Sequence, residues 1–453
     1  QAAQRATTGI AAKPQCHKIP CFCGASRKNK QHFFGKKETS MTYFNLSSFI
    51  QKHVIGRQGS FFEADLQQHG PQLREQLQEA RMLVIGGAGT IGSSFIRAAL
   101  RHGQPASLYV VDINENGLTE LTRDLRSTAG MQVPADYKTY PISFSEPVFA
   151  RLLRREGPFD IVANFAAHKH VRSEKDPYSI EAMLENNVLR ARDLLSMLAE
   201  QPPRHFFCVS TDKAANPVNV MGASKKLMEE LIMAYADKIK ITTARFANVA
   251  FSNGSLPAGF LERLARQQPL SAPRDIQRFF VSPDESGEIC LMACLLGESG
   301  QLFYPRLQAG LHTNTFTHIA DKLLEAKGLS PYHCRSEEEA RQLAALWAKQ
   351  ERVVQDKPLP YPVYYFSSDT SGEKPYEEFY TEGDQLDEQR FSSLGVITNA
   401  PRPSLQAIDR VVDELRAMFE QPSLSKAQLV AALQQVIPGF AHHETGKGLD
   451  EKM

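Results

Sequence analysis

Ser210-Thr211-Asp212-Lys213 sets two hydroxyls, a carboxylate and an amine on successive residues, and such groups together can move protons. His205 to Val209, just ahead, is a short apolar run with aromatic and β-branched character and reads as a buried strand. Asn216-Pro217 forces a turn, and Gly222 to Tyr235 then reads as an amphipathic helix. Helical spacing sets Met221 and Lys225 one turn apart on the same face. The competing account of this stretch is a surface turn whose charges are merely solvated.

The elements that would position these groups run in order from residue 81. Arg81 to Ile85 reads as a strand, Gly86-Gly87-Ala88-Gly89-Thr90-Ile91-Gly92 follows at once, and Ser93 to His102 reads as a helix. Gly86, Gly89 and Gly92 let the turn close tightly and, with Thr90 and Ile91, bring backbone toward a pyrophosphate at the helix amino terminus. A second strand, Ser107 to Val111, ends at Asp112. A carboxylate there accepts hydrogen bonds from an adenosine ribose and repels a 2′-phosphate, which favours NAD over NADP; the alternative is an acid that only caps a turn. Further strands are expected at Phe159 to Phe165 and Lys240 to Phe246. This pattern predicts an α/β fold: a Rossmann-type doubly wound parallel sheet with a smaller C-terminal α/β substrate domain.

Gly-x-x-Gly-x-x-Gly, Ser-Thr-Asp-Lys-Ala and Asn-x-Met-Gly-Ala-Ser-Lys together resemble an extended short-chain dehydrogenase/reductase. Within that superfamily the chain is similar to the polysaccharide-biosynthesis nucleotide-sugar 4,6-dehydratases, typified by UDP-N-acetylglucosamine 4,6-dehydratase. The resemblance covers about Met82 to Leu415, and Met221 stands where the superfamily normally has the tyrosine of Tyr-x-x-x-Lys. It implies that Ala166 and Ala167 let the cofactor lie on a strand end, and that Lys169 and His170 face the sugar or its diphosphate. Asn187 would tie strand backbones or position the active-site lysine, unless it is an ordinary core amide. The family uses an asparagine near the substrate diphosphate, here Asn248. Asn253-Gly254-Ser255 is a tight turn with free amides suited to phosphate. Arg278 is a candidate diphosphate clamp, with a structural salt bridge as the competing role. Departures include Ala247 for glycine, Ala250-Phe251-Ser252 for Leu-Gly-Ser, and Pro141-Ile142-Ser143 at the third strand, where Ser143 or backbone must supply an adenine contact.

The resemblance implies a lyase in which NAD takes a hydride from C4 of the sugar, water leaves from C6 and the hydride returns to C6. Lys225 would hold the nicotinamide ribose. Thr211 or Ser210 would bond O4, and Asp212 and Lys213 would serve as acid and base, with burial near Lys225 helping to keep a lysine base neutral. A thioether cannot take the O4 proton, so Asp212 is the expected base in place of Met221. An epimerase on the same scaffold and an NAD-binding regulator without turnover are the alternatives.

The 453 residues carry 52 Lys plus Arg against 51 Asp plus Glu, a balance that argues for no nucleic-acid partner. No run of about 18 apolar residues appears, so no membrane insertion is expected, and the thiols Cys208, Cys290, Cys294 and Cys334 fit a reduced, cytoplasmic setting. Residues 1–40 read as a disordered leader with Met41 as a natural start; Cys16, Cys21 and Cys23 lack the second pair a zinc site needs, so no metal is expected. Residues 41–80 read as short helices broken near Gly59 and Pro71, 81–250 as the NAD-binding domain, 251–420 as the substrate region with some shared sheet, and 421–453 as a helix and tail. A nucleotide-sugar substrate and a homo-oligomer complete the expected partners.

Overall fold

A computed structural model describes residues 44–306, 313–349, 358–368 and 377–442. The expectations for the leader, and for Met41 and its upstream cysteines, fall outside these residues.

Fifteen strands are described. In chain order they are β1 (Arg81–Ile85), β2 (Ser107–Val111), β3 (Asp136–Tyr140), β4 (Ile161–Asn164), β5 (His205–Val209), β6 (Ile241–Ala244), β7 (Asn248–Val249) and β8 (Leu270–Pro273). There follow β9 (Gln277–Val281), β10 (Gln301–Pro305), β11 (Thr313–Thr315), β12 (Leu329–His333), β13 (Leu359–Phe366), β14 (Leu386–Asp387) and β15 (Leu394–Ile397). Nine of them form one sheet in the order β14-β15-β10-β6-β5-β4-β1-β2-β3. The seven from β10 to β3 are mutually parallel, and β15 and β14 close the far edge antiparallel. β2, β4, β5 and β6 are buried along their whole length, as both faces of a parallel sheet under helices require. The strand order reverses between β1 and β4, which opens a crevice at their carboxyl ends. This is the expected doubly wound α/β fold, and β10, β14 and β15 add sheet from the C-terminal half.

Two three-stranded sheets, β11-β9-β7 and β12-β13-β8, stand beside it over a second apolar core. β13 carries Pro360 and Pro362, which made it unreadable as a strand. Those residues pair only with β12, while β8 joins at Val363 to Phe366, so the missing N–H groups interrupt no second ladder. A charged, alanine-rich helix runs over Glu337–Ala348, capped by Ser336.

One expectation needs correction. The helix Glu63–Leu77 runs straight through Pro71. Pro71 and Gln67, whose carbonyl it leaves unpaired, are both exposed, so water can satisfy that carbonyl while Leu66, Leu73 and Leu77 bury the other face. This helix packs on the helices Thr90–His102 and Pro283–Leu296, covering the nucleotide half. Its buried Asp65 accepts from the Ser392 and Ser393 backbone amides at 2.7 and 2.8 Å, tying it to the loop before β15.

Candidate active site

The crevice is a cavity of about 810 Å³. Its first wall is the turn after β1. Gly86 has φ +73°, and a Cβ there would lie 2.5 Å from the Ala166 nitrogen, so only glycine lets this turn close against the end of β4. Gly89, Ile91 and Gly92 line the cavity beside it, at the amino end of the helix Thr90–His102. Thr90 is not on the cavity wall; its hydroxyl accepts from the Asn253 amide at 2.9 Å and so ties the glycine turn to the loop across the mouth. Asp112 lines the cavity and accepts from the Ala88 and Asn114 amides at 3.0 and 2.9 Å. It thus closes the turn and still keeps lone pairs for a ribose. Ser143, three residues beyond β3, lines the wall next to it. A cradle of this shape, with a helix amino terminus and a carboxylate after the second strand, fits a dinucleotide.

The wall that carries the candidate proton-transfer groups is built from the ends of β4 and β5. Thr211, Asp212, Lys213, Met221 and Lys225 all line the cavity, as do Ala166 and Ala167. The nearly buried Asp212 accepts from Thr211 Oγ1 at 2.7 Å and from Lys213 Nζ at 3.2 Å. Asn219 caps the helix Val220–Met233, which brings Met221 and Lys225 onto the wall. Lys225 Nζ donates to the Val209 carbonyl at 2.7 Å. Burial lowers its pKa below the usual lysine range, with Cys208 and Glu229 pulling the other way. Asn187 does not line the cavity. Its amide accepts from the His168 N–H and donates to the His168 carbonyl, both at 2.9 Å, and donates to Ser224 Oγ at 3.0 Å. It pins the loop after β4 to the helix residue before Lys225.

Lys169, His170, Asn248 and Asn253 line the cavity as well. Lys169 Nζ donates to the Asn253 carbonyl at 3.0 Å, and the His170 ring covers Gly254, so a lysine and a histidine flank the turn before the helix Leu256–Ala265. Arg278 is not brought to the cavity. It is buried on β9, with Nε 3.9 Å from Glu377 Oε1, the geometry of the competing salt-bridge role.

The sequence reading missed a buried support. Ser210 Oγ donates to Glu229 Oε1 at 2.6 Å, and Arg245 grips both Glu229 oxygens at 2.8 and 2.6 Å while donating to the Phe379 carbonyl at 2.7 Å. Burial pushes the Glu229 carboxyl up, but Arg245 and Ser210 outweigh it and hold it below the usual range. The available signal was an acid one turn beyond Lys225 on an otherwise apolar helix face. His168, Asn186 and Arg190 also line the cavity and were not singled out as site residues. Among the described residues no group of three or more His, Cys, Asp or Glu could hold a metal ion, and no helix is long and apolar enough to cross a membrane.

Known proteins resemble this chain in part. An uncharacterized membrane protein of Methanocaldococcus jannaschii is 30% identical over 261 residues, spanning 56% of this chain and 74% of that one. The capsular polysaccharide biosynthesis protein CapD of Staphylococcus aureus is 27% identical over 51% of this chain, which spans only 38% of CapD. UDP-N-acetylglucosamine 4,6-dehydratase (inverting) of Campylobacter jejuni is 24% identical over 53% of this chain and 71% of its own length. Among solved structures, DesIV, a dTDP-glucose 4,6-dehydratase from Streptomyces venezuelae, shares the fold with a TM-score of 0.50 at 19% identity, over 75% of this chain and 97% of DesIV. The sequence model of the family described as polysaccharide biosynthesis protein matches residues 82–344, more than half of the chain and every cavity-lining residue, and the chain belongs to that family.

Proposed function

We propose that this protein is an NAD-dependent nucleotide-sugar 4,6-dehydratase that converts UDP-N-acetylglucosamine to a 4-keto-6-deoxy sugar nucleotide for a surface polysaccharide or glycan. The observation that carries the reading is the Thr211-Asp212-Lys213 group, an acid and an amine 3.2 Å apart at the end of β5 on the cavity wall. The name of the Campylobacter relative supports it. Met221 counts against a simple epimerase, because a thioether has no acidic proton to exchange with O4.

NAD, when bound, supplies the hydride acceptor for C4 and the hydride donor for C6. Gly86, Gly89 and Gly92, on the cavity wall, would give it room, Asp112 would take its adenosine ribose, and Lys225, anchored on the Val209 carbonyl, would hold the second ribose. Thr211 already donates its proton to Asp212, so its lone pairs are left to accept the O4 hydroxyl. A proton leaving O4 therefore has a path through Thr211 to the Asp212 carboxylate. With C4 a ketone, Lys213 in its neutral form removes the acidified C5 proton, and Asp212 returns its proton to the C6 hydroxyl, which departs as water. Lys213 then reprotonates C5, leaving acid and base as they began.

The test is to incubate purified protein and NAD with a panel of nucleotide hexoses and follow product mass. Loss of one water from UDP-N-acetylglucosamine is the expected result. Unchanged mass with an inverted C4 would make the protein an epimerase, and bound NAD without any product would make it a regulator.

A further inference from the structure

Glu377 lies outside the nine-stranded sheet, yet its side chain is only 5% exposed. One oxygen, Oε1, accepts from Asn248 Nδ2 at 3.0 Å and from the Phe279 backbone N–H at 3.2 Å. A backbone N–H can only donate, and the Arg278 guanidinium 3.9 Å from the same oxygen favours a negative charge there. The amide end that Asn248 turns to Glu377 is therefore its NH2. That fixes the whole amide, because the two ends of an asparagine are set by the network around them. The Asn248 carbonyl oxygen is left over, without a hydrogen-bond partner among the described residues, on a residue that lines the cavity.

A lone acceptor is poorly matched to a diphosphate, whose oxygens are acceptors at neutral pH. It is matched to a hydroxyl or an amide N–H. Burial foremost raises the Glu377 carboxyl, Arg278 opposes it, and the Asp212 charge adds to the rise. Glu377 thus stands within electrostatic reach of Asp212, and Asn248, which it holds, lines the same cavity.

We infer that Glu377 is a positioning residue that holds Asn248 with its carbonyl oxygen toward the cavity, where it recognises a hydrogen-bond donor on the substrate hexose, a hydroxyl or an acetamido N–H, and not the diphosphate. The inference rests on the nucleotide-sugar reading and revises the role that family resemblance gave Asn248. An amide locked in one orientation discriminates by what it leaves unpaired when the donor is missing.

The experiment measures the affinity of the NAD-loaded protein for UDP and for UDP-N-acetylglucosamine by calorimetry. Wild type, Asn248→Ala and Glu377→Gln are compared. Asn248→Ala is expected to weaken the sugar nucleotide by about 10-fold and UDP by less than about 2-fold, the scale of one lost hydrogen bond. Glu377→Gln frees the amide to turn over and is expected to weaken the sugar nucleotide selectively, by a smaller factor. Equal weakening of both ligands in Asn248→Ala overturns the inference while leaving the functional reading intact, since the asparagine would then touch the part they share. Failure of the wild type to bind either ligand removes the functional reading and the inference with it.

Discussion

Glu229 and Arg245 form a two-pronged ion pair, at 2.8 and 2.6 Å, in the interior directly behind the strand end that carries Ser210, Thr211 and Asp212. Each partner also serves a second element: Glu229 takes the Ser210 hydroxyl, and Arg245 the Phe379 carbonyl. Both side chains are 4% exposed, so neither charge can turn to water when its partner is lost. Glu229→Ala is expected to cost about 3–5 kcal/mol in urea unfolding, the usual result of stranding a buried charge. Glu229→Met with Arg245→Leu should recover much of that stability yet stay slow in turnover, because Ser210 loses its anchor. Full activity in the double variant would reduce the pair to packing.

The site was legible in the sequence wherever it is local. The glycine turn, the Ser210 to Lys213 run and the Met221/Lys225 pair are each contiguous or one helical turn apart, and each reaches the cavity. What escaped depends on partners far away in sequence. Glu229 and Arg245 are separated by 16 residues, and Glu377 meets Asn248 across 129. Arg278 is the reverse case: a guanidinium invites a phosphate, but a buried carboxylate beside it decides otherwise. Pro71 misled for a different reason, since proline's penalty depends on whether the freed carbonyl can reach water.

Phe251 has φ +53°, in the left-handed region, where the family resemblance places a glycine. Its buried ring meets Phe49, at the end of the short helix Leu46–Phe49, edge-on at 5.9 Å. The strain is worth about 1–2 kcal/mol, while removing a buried phenyl costs about 3–5 kcal/mol. Phe251→Gly should therefore be net destabilising by about 1–4 kcal/mol in urea unfolding. It should also weaken substrate binding through the adjoining Ser252 to Ser255 wall, with NAD affinity little changed. A stabilised variant would mean that strain outweighs packing here.

Asp112 predicts cofactor choice. Its carboxylate faces the cavity with no arginine among residues 113 to 116, so NADP should bind at least about 10-fold more weakly than NAD. Asp112→Ala should narrow that difference. Equal affinities in the wild type would leave Asp112 with only its turn-closing bonds to Ala88 and Asn114.

His205 opens β5, with Nε2 2.9 Å from Gln76 Oε1. Burial first, and the Lys240 and Arg204 charges after it, lower its pKa from 6.5 to about 4. The folded protein thus binds fewer protons than the unfolded chain between those values, so stability rises with pH across that window and is lost as pH falls from 6.5 toward 4. The loss from this residue is about 3 kcal/mol. Urea unfolding of His205→Gln should show a shallower dependence than wild type over the same range. Parallel curves would show that other groups account for acid destabilisation.

The missing tyrosine gives the sharpest comparison. Asp212 receives Thr211 and Lys213, whereas Met221, buried at the amino end of its helix, offers the cavity a thioether. If Asp212 takes the O4 proton, Asp212→Asn should keep NAD bound and slow turnover by ~100-fold or more, the scale of losing a positioned acid or base. Met221→Leu should be mild, since it conserves volume and removes only polarizability. Lys213→Ala should slow elimination more than C4 oxidation, which deuterium exchange at C5 would separate. Lys225→Ala should weaken NAD binding as well as turnover, because its amine is anchored to the Val209 carbonyl beside the proposed ribose position. A dead Met221→Leu beside a near-normal Asp212→Asn would reverse the assignment: the proton would then leave O4 without passing through Thr211 and Asp212, and the acid–amine pair would serve binding alone.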